Sequence, residues 1–214
     1  THACAGEPVR FCLGAGDSLI QWLLLPGLGK LQREFPRVIF RINGMGTREI
    51  VSGLQEMSLD FGILRRDAVP RGLKCKAAGE MKFALYVPGP FLHGKKAPAL
   101  GWALENLPIA TQSGDGRFSK GLHGIAAKLG VRLNIVLECQ TFTQALCVLR
   151  GGGHAAILPQ LAGRDLDPSH FATITSPHFQ SQARQIAVAW NPRTIHVREM
   201  ADRLCRSLLE HYRF

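Results

Sequence analysis

The chain has 214 residues, 46% of them hydrophobic, and a formal charge of +10, which suffices for a packed core in one or two domains. No stretch approaches the roughly 18 unbroken apolar residues of a membrane span; the longest, Leu19 to Leu28, is broken by Gln21, Pro26 and Gly27. The basic residues are dispersed (Arg65-Arg66, Lys74/Lys76, Lys95-Lys96, Arg203/Arg206) and do not alternate with aromatics, so the charge reads as a solvated surface rather than a nucleic-acid stripe.

In chain order, Val9 to Gly14 reads as a buried strand, Ala15 to Ser18 as a small-residue turn, and Leu19 to Phe35 as a helix. Val38 to Ile42 is a second strand. Thr47 is placed to cap a helix that buries Ile50, Val51, Leu54 and Met57, and Leu59 to Leu64 is a third strand. Near-continuous apolar strands separated by amphipathic helices predict a parallel sheet covered on both faces. Lys74 to Ala78 and Met81 to Val87 then read as two strands with no helix between them, and Pro88-Gly89-Pro90 as a linker. His93 to Ala103 reads as loop. A second α/β unit begins at Leu107 to Thr111, with the loop Gln112 to Gly116. A helix follows, with Phe118, Leu122, Ile125, Ala126 and Leu129 on one face and Gly130 as its stop. Val131 to Cys139 alternates as a strand, and Thr141 can cap a helix that ends at Gly151-Gly152-Gly153. Ala155 to Pro159 is a short buried strand. Phe171 to Ile174 and Gln185 to Trp190 are two more strands, and a helix from about Val197 to Tyr212 closes the chain.

Ser18, Thr47, Ser113 and Thr141 share one position: a polar residue after a strand, at or near a helix start. A single such residue is a cap worth about 1 kcal/mol. Four of them, two per half, on the same side of their sheets point to contact with a small ligand through hydroxyls and helix-start N–H groups. Gly114 to Lys120 fails the spacing of a phosphate loop, and no nucleophile elbow is present. The carboxylates Asp17, Asp60 and Asp115 are single and spread out. Eight histidines and six cysteines lack metal-ligand spacing, so no metal or other cofactor is expected. Cys12, Cys139 and Cys147 read as small core hydrophobes, and scattered thiols suit a reducing compartment, the cytoplasm.

The stretch Val9 to Phe35 ends in the pattern Leu24-Leu25-Pro26…Leu31…Phe35-Pro36. It is followed by Thr47-Arg48-Glu49-Ile50-Val51…Leu54…Leu59-Asp60-Phe61-Gly62-Ile63 and later by Gly151-Gly152-Gly153-His154-Ala155-Ala156-Ile157-Leu158-Pro159. Over nearly its whole length the chain resembles the effector-binding domain of LysR-type transcriptional regulators. The resemblance implies an α/β, type 2 periplasmic-binding-protein-like fold, with two Rossmann-like lobes joined by two crossing strands and a cleft between them. Lobe I would be residues 1–89 with about 185–214, and lobe II about 90–184. A small polar metabolite would bind in the cleft at Ala15, Gly16, Asp17, Ser18, Gly46, Thr47, Gln112, Ser113, Thr141 and Phe142, with Pro159 at its border. Binding would alter the lobe and dimer arrangement to control transcription, with no bond broken. The resemblance further implies a homodimer with the Leu24 to Phe35 helix at its interface, and a tetramer when full-length. DNA would be bound only through an N-terminal winged helix-turn-helix, which a chain starting at Thr1 is expected to lack as a fragment.

Two features depart from the family pattern. Asp17 puts an acid beside the usual small polar residues, which disfavours anionic effectors, and Lys95 to Pro98 is an atypical connection. The alternative on the same fold is a solute-binding protein of a transporter, which would carry a signal peptide or lipid-anchor cysteine; no such peptide precedes Cys4. An enzyme on this fold would need a paired acid–base set.

Overall fold

Seven residues, Val9–Ala15, form β1, on which the first sheet is built. It pairs in parallel with β2 (Val38–Gly44) on one side and β3 (Phe61–Arg65) on the other. The computed structural model describes residues 8–92, 96–113 and 117–214, without the Arg117 side chain. The first sheet is completed by β4 (Lys74–Met81) and β10 (Arg184–Trp190), in the order β2-β1-β3-β10-β4, with β10 antiparallel to β3. The second sheet runs β7-β6-β8-β5-β9. Its strands are β5 (Phe83–Pro88), β6 (Ile109–Gln112), β7 (Ile135–Cys139), β8 (Ala155–Pro159) and β9 (Phe171–Ile174). Both sheets are therefore mixed rather than purely parallel. The chain forms two units, Thr1–Glu80 with Gln185–Phe214, and Met81–Arg184. The division falls after Glu80, not at residue 89, because β5 pairs with β8 and β9 in the second sheet. Pro88-Gly89-Pro90 is thus a turn inside unit 2 and not a linker between units.

The predicted helix Leu19 to Phe35 consists of three pieces: α1 (Asp17–Leu19), a π-helical segment (Ile20–Leu24) and α2 (Leu25–Glu34). Pro26 is the cause. It has no N–H, and its ring opposes the carbonyl four residues back. The wide turn, in which the Leu25 N–H reaches Ile20 O, absorbs the conflict. Tyr212 seals this region, its hydroxyl donating to Leu24 O at 3.0 Å. A Cβ on Gly27 would stand 2.5 Å from the Tyr212 ring, so glycine lets α2 pack closely against α8 (Ala201–His211). The same pair is tied by Glu34, which accepts from Ser207 Oγ at 2.5 Å and meets His211 Nε2 at 3.1 Å. The Ser207 hydroxyl holds the Glu34 carboxyl below its usual range.

Other departures have local causes. Gly46, not Thr47, is the N-cap of α3 (Thr47–Gln55), and Thr47 is its first helical residue. The closing helix is split into α7 (Pro192–Val197) and α8 by Met200, whose φ is 67°. The predicted loop to Ala103 contains the start of α4 (Leu100–Asn106), while His93, Gly94 and Lys95 lie outside the described residues. The alternation of Val131 to Cys139 yields a strand only from Ile135. That strand is an edge, with Val136 51% exposed, so alternation there does not mean burial. Cys139 is buried, whereas Cys12 is only half-buried and Cys147 is exposed. The helix α5 (Arg117–Leu129) buries Phe118, Leu122, Ile125 and Ala126 as the period predicts, and Gly130 follows with φ 68°.

One buried charge fixes the C-terminal segment to the first sheet. Asp60 accepts the Cys12 N–H at 2.8 Å and pairs with Arg198 at 3.1 Å. Arg198 also donates to Arg10 O and lies over the Phe11 ring, 4.5 Å from its centroid. Burial pushes the Asp60 carboxyl up, against the opposing pull of the Cys12 N–H and Arg198. A raised folded-state value means that this group's contribution is fully present in acid, below its unfolded value, and is lost as pH rises through the folded one. Breaking a fully buried pair costs roughly 3–5 kcal/mol. Because the Arg198 side chain is 34% exposed, Arg198→Ala is expected to cost about 2 kcal/mol at pH 7. The deficit should shrink as pH falls and Asp60 protonates; urea denaturation at pH 7 and pH 4.5 checks both magnitude and sign.

Candidate functional site

Unit 1 brings its nominated residues together at the carboxyl ends of β1 and β2. Ala15 is the last residue of β1, stands in register with Gly44, and its carbonyl accepts the Met45 N–H at 3.0 Å. The helix starts at Gly16-Asp17-Ser18 and Gly46-Thr47 therefore lie side by side. Gly16 is extended (φ −69°, ψ 152°) and carries no side-chain cap, and its carbonyl accepts from both Leu19 and Ile20. At α3 the Gly46 N–H donates to Glu49 Oε2 at 2.7 Å. The Glu49 carboxylate thus occupies the position that an anion would take at a helix start, and Asp17 stands in the first turn of the neighbouring helix.

Unit 2 does the same at the ends of β6 and β7. Gln112 is in register with Cys139, and its Nε2 donates to Gln140 O at 3.0 Å. The Ser113 N–H and Oγ both donate to Cys139 O, at 2.6 and 2.9 Å. Thr141 caps α6 (Phe142–Arg150): its Oγ1 accepts the Gln144 N–H at 3.1 Å and meets Thr143 Oγ1 at 2.8 Å. Gln144 returns the favour through Oε1, which accepts the Gln140 N–H at 3.0 Å. Residues 114–116 of the predicted loop lie outside the described residues.

Phe142 does not offer its ring to a ligand. It is 2% exposed and packs on Phe83 and Phe118 at centroid distances of 5.5 and 5.4 Å. Its position one residue after the cap turns the ring into the core, a direction that position alone does not reveal. Pro159 closes β8, buried opposite Phe83.

The structure adds groups that no motif marks. Thr111, one residue before Gln112, is 2% exposed, and its Oγ1 finds no hydrogen-bond partner among the described residues. A groove of about 530 Å³ in unit 1 is lined by Cys12, Arg41, Asn43, Met45, Ser58 and Leu59. Another of about 290 Å³ in unit 2 is lined by Lys82, Phe83, Gln160, Ser176, Phe179 and Gln180. Each draws its residues from three separate stretches, so no sequence window contains the pattern.

The hydroxyls of Ser113 and Thr141 are bound within their own turns. Ser169, His170 and Asp167 stand together, but Ser169 Oγ and Asp167 Oδ2 meet the same ring nitrogen, Nδ1, each at 3.2 Å. A nucleophilic triad needs them on opposite nitrogens. Burial pushes the Cys139 thiol up, and that of Cys205 to about 11, which keeps both protonated and poorly nucleophilic. Among the described residues no three His, Cys, Asp or Glu side chains gather as metal ligands, and no helix is long and apolar enough to cross a membrane.

Residues 5–213 match the family model of the LysR substrate binding domain. The cofactor-binding domain of the Cbl transcriptional regulator superposes with a TM-score of 0.75 at 16% identity, covering 99% of this chain and 94% of that one. The regulatory domain of MexT, a transcriptional activator in Pseudomonas aeruginosa, gives 0.74 at 22% identity, covering 97% and 100%. Full-length CbnR complexed with its target DNA gives 0.69 at 18% identity, covering 95% of this chain and 71% of that one. No curated protein sequence matches the chain. With nearly its whole length matched, the chain belongs to the LysR substrate-binding domain family, and its two mixed sheets have that family's periplasmic-binding-protein-like type 2 fold.

Two nearby threonines should respond to mutation with opposite signs. Thr141→Ala removes a cap and is expected to cost about 1 kcal/mol. Thr111→Val removes a buried hydroxyl without a partner and is expected to gain about 1 kcal/mol. Paired urea titrations of the two variants measure both.

Proposed function

We propose that this regulatory domain senses a small polar effector, held by the helix-start turns of both units, and that effector binding biases lobe and dimer arrangement to control transcription. The observation that carries the reading is the repeated construction: in each sheet two adjacent parallel strands end at one edge, setting the turns at Gly16 and Gly46, and again those at Ser113 and Thr141, side by side. A ligand shifts such an equilibrium only by its differential affinity for the two states, so no bond need be broken. Asp17 and the Glu49 carboxylate at the unit 1 turns favour a neutral or cationic group on the effector at that end. DNA contact would belong to a separate N-terminal domain, and the protein would act in the cytoplasm; full-length CbnR, similar to this chain in fold, is complexed with its target DNA.

The domain is also proposed to form a homodimer, with tetramers in the full-length protein. Supporting this, the outer face of α2 exposes Leu25 (46%), Lys30 and Arg33, and the edge strands β2 and β7 expose Ile39 and Val136. The inner face of α2, with Leu31, is committed to the unit 1 core.

A thermal-shift screen against a metabolite library should yield a compound that raises the melting temperature by mass action. Ser18→Ala should weaken that compound's binding about threefold to tenfold while leaving the unliganded melt in place. Equal affinity in the variant would remove Ser18 from the site, and turnover of the compound by the purified chain would overturn the sensor reading. Light scattering should give a dimer at tens of micromolar for the native chain (order of magnitude only) and a monomer for Leu25→Asp; a native monomer would overturn the dimer.

A further inference from the structure

We propose that unit 1 carries a second ligand site, the groove between β2 and the turn that enters β3, and that it takes a small zwitterion, an α-amino acid with a short side chain, through Arg41, Asn43 and Ser58. None of these three belongs to the turns assigned to the effector. The volume, about 530 Å³, is inside the range of roughly 300–1,000 Å³ for small-molecule sites.

The strand order makes the groove. β2 is the outermost strand, next to β1, and β3 lies on the far side of β1. The connections β1 to β2 and β2 to β3 therefore cross the sheet in opposite directions, and right-handed crossovers place α2 and α3 on opposite faces. On its own face α3 rides over β1 and β3: Ile50 stands within 3.5 Å of where a Cβ on Gly14 or Gly62 would be. That leaves β2 open on this face, away from the α2 face proposed for the dimer. In register there are Cys12 with Arg41 and Gly14 with Asn43. Leu59 fills the hollow at Gly14, where a Cβ would meet its Cδ1 at 2.6 Å, and Met45 lies beside it. The apolar surface left for a ligand is that of Cys12, Ile42 and Met45, all half-buried.

The hydrogen bonds of the polar lining fix which atoms it offers. Asn43 Nδ2 donates to Leu13 O at 3.4 Å. A carbonyl only accepts, so the amide nitrogen must face it, and Oδ1 is turned the other way. Ser58 Oγ donates to Gly53 O at 3.3 Å, which uses its proton and leaves its lone pairs. Both neutral groups are therefore acceptors. Arg41 is the charged group in the lining; it is exposed and makes no hydrogen bond or ion pair among the described residues. Its planar fork suits a carboxylate. Arg41 and Asn43 stand two residues apart on one face of β2, about 7 Å along the strand. An α-amino acid spans that gap, with its carboxylate on the guanidinium and its ammonium on Asn43 Oδ1 and Ser58 Oγ. A simple acid would leave both acceptors unmatched, and a simple amine would meet Arg41 with like charge.

L-Norvaline, its deaminated analogue pentanoate and its decarboxylated analogue butylamine, titrated into the native chain by calorimetry at neutral pH, test this pairing. Norvaline should bind saturably and about fivefold more tightly than either singly charged analogue. Arg41→Gln should reduce norvaline to the level of butylamine. Arg41→Lys should keep part of the margin, since the charge stays and the fork is lost. Ser58→Ala should narrow the margin over pentanoate and leave that over butylamine. Ser18→Ala and Thr141→Ser should leave norvaline binding unchanged, which separates this site from the effector turns. The proposal is overturned by no saturable norvaline binding up to about 10 mM, by equal affinity for the three probes, by a norvaline affinity that survives Arg41→Gln, or by its loss in the turn variants.

Discussion

Parallel neighbours cannot be joined by a hairpin. β1 and β2, and again β6 and β7, must each be connected through a helix that starts where the first strand ends. Two such strands in register therefore deliver two helix starts to one edge of the sheet. In the first sheet the pairing of Ala15 with Gly44 sets Gly16 beside Gly46. In the second, the pairing of Gln112 with Cys139 sets Ser113 beside Thr141. The ligand-facing chemistry proposed for the chain follows from this constraint, because helix starts are where backbone N–H groups lack an intrahelical partner.

Much of the polar equipment at those turns is already in use. Glu49 takes the Gly46 N–H, the Gln144 N–H donates to Thr141 Oγ1 while Gln144 Oε1 accepts the Gln140 N–H, and Ser113 donates twice to Cys139 O. Such self-satisfaction makes the turns stiff, and a stiff turn loses little entropy when it binds. It also means that discrimination at unit 1 rests more on charge than on spare hydroxyls, since the acids Asp17 and Glu49 are placed where an anion would otherwise be welcomed. Thr111 is an exception in the second sheet, a buried hydroxyl that no described residue satisfies.

The strand–helix alternation of the first 65 residues was legible because the strands are near-continuous apolar runs and α3 shows a clear 3.6 period. The family was legible from the order of its motifs. What sequence could not supply was tertiary. The π segment depends on what Pro26 does to a carbonyl one turn back. The boundary between units depends on β5 pairing away from β4, although the two are consecutive in sequence. Val131 to Cys139 alternates like a half-buried strand, yet only Ile135–Cys139 is one, and it forms a sheet edge where neither face is fully covered. The family resemblance places Phe142 at the cleft, but helix geometry turns its ring into the core. Lys82, Gln160 and Ser176 become neighbours only through sheet pairing and carry no local signature.

The two chain passages between units carry further consequence. One runs from β4 through Lys82 into β5, the other from the 3₁₀ turn Pro177–Gln182 through Arg184 into β10. Within unit 2 these passages are fastened to one another, because the Arg184 guanidinium lies over Phe83 and Phe118 at 5.3 and 5.2 Å. Phe118 and Phe142 belong to the first turns of α5 and α6, the helices that follow the ends of β6 and β7. A displacement of the Thr141 turn would therefore press on the same aromatic group that anchors both passages. The groove beside Lys82 shares Phe83 with that group. Close-packed aromatic cores transmit strain because they have few voids in which to absorb it.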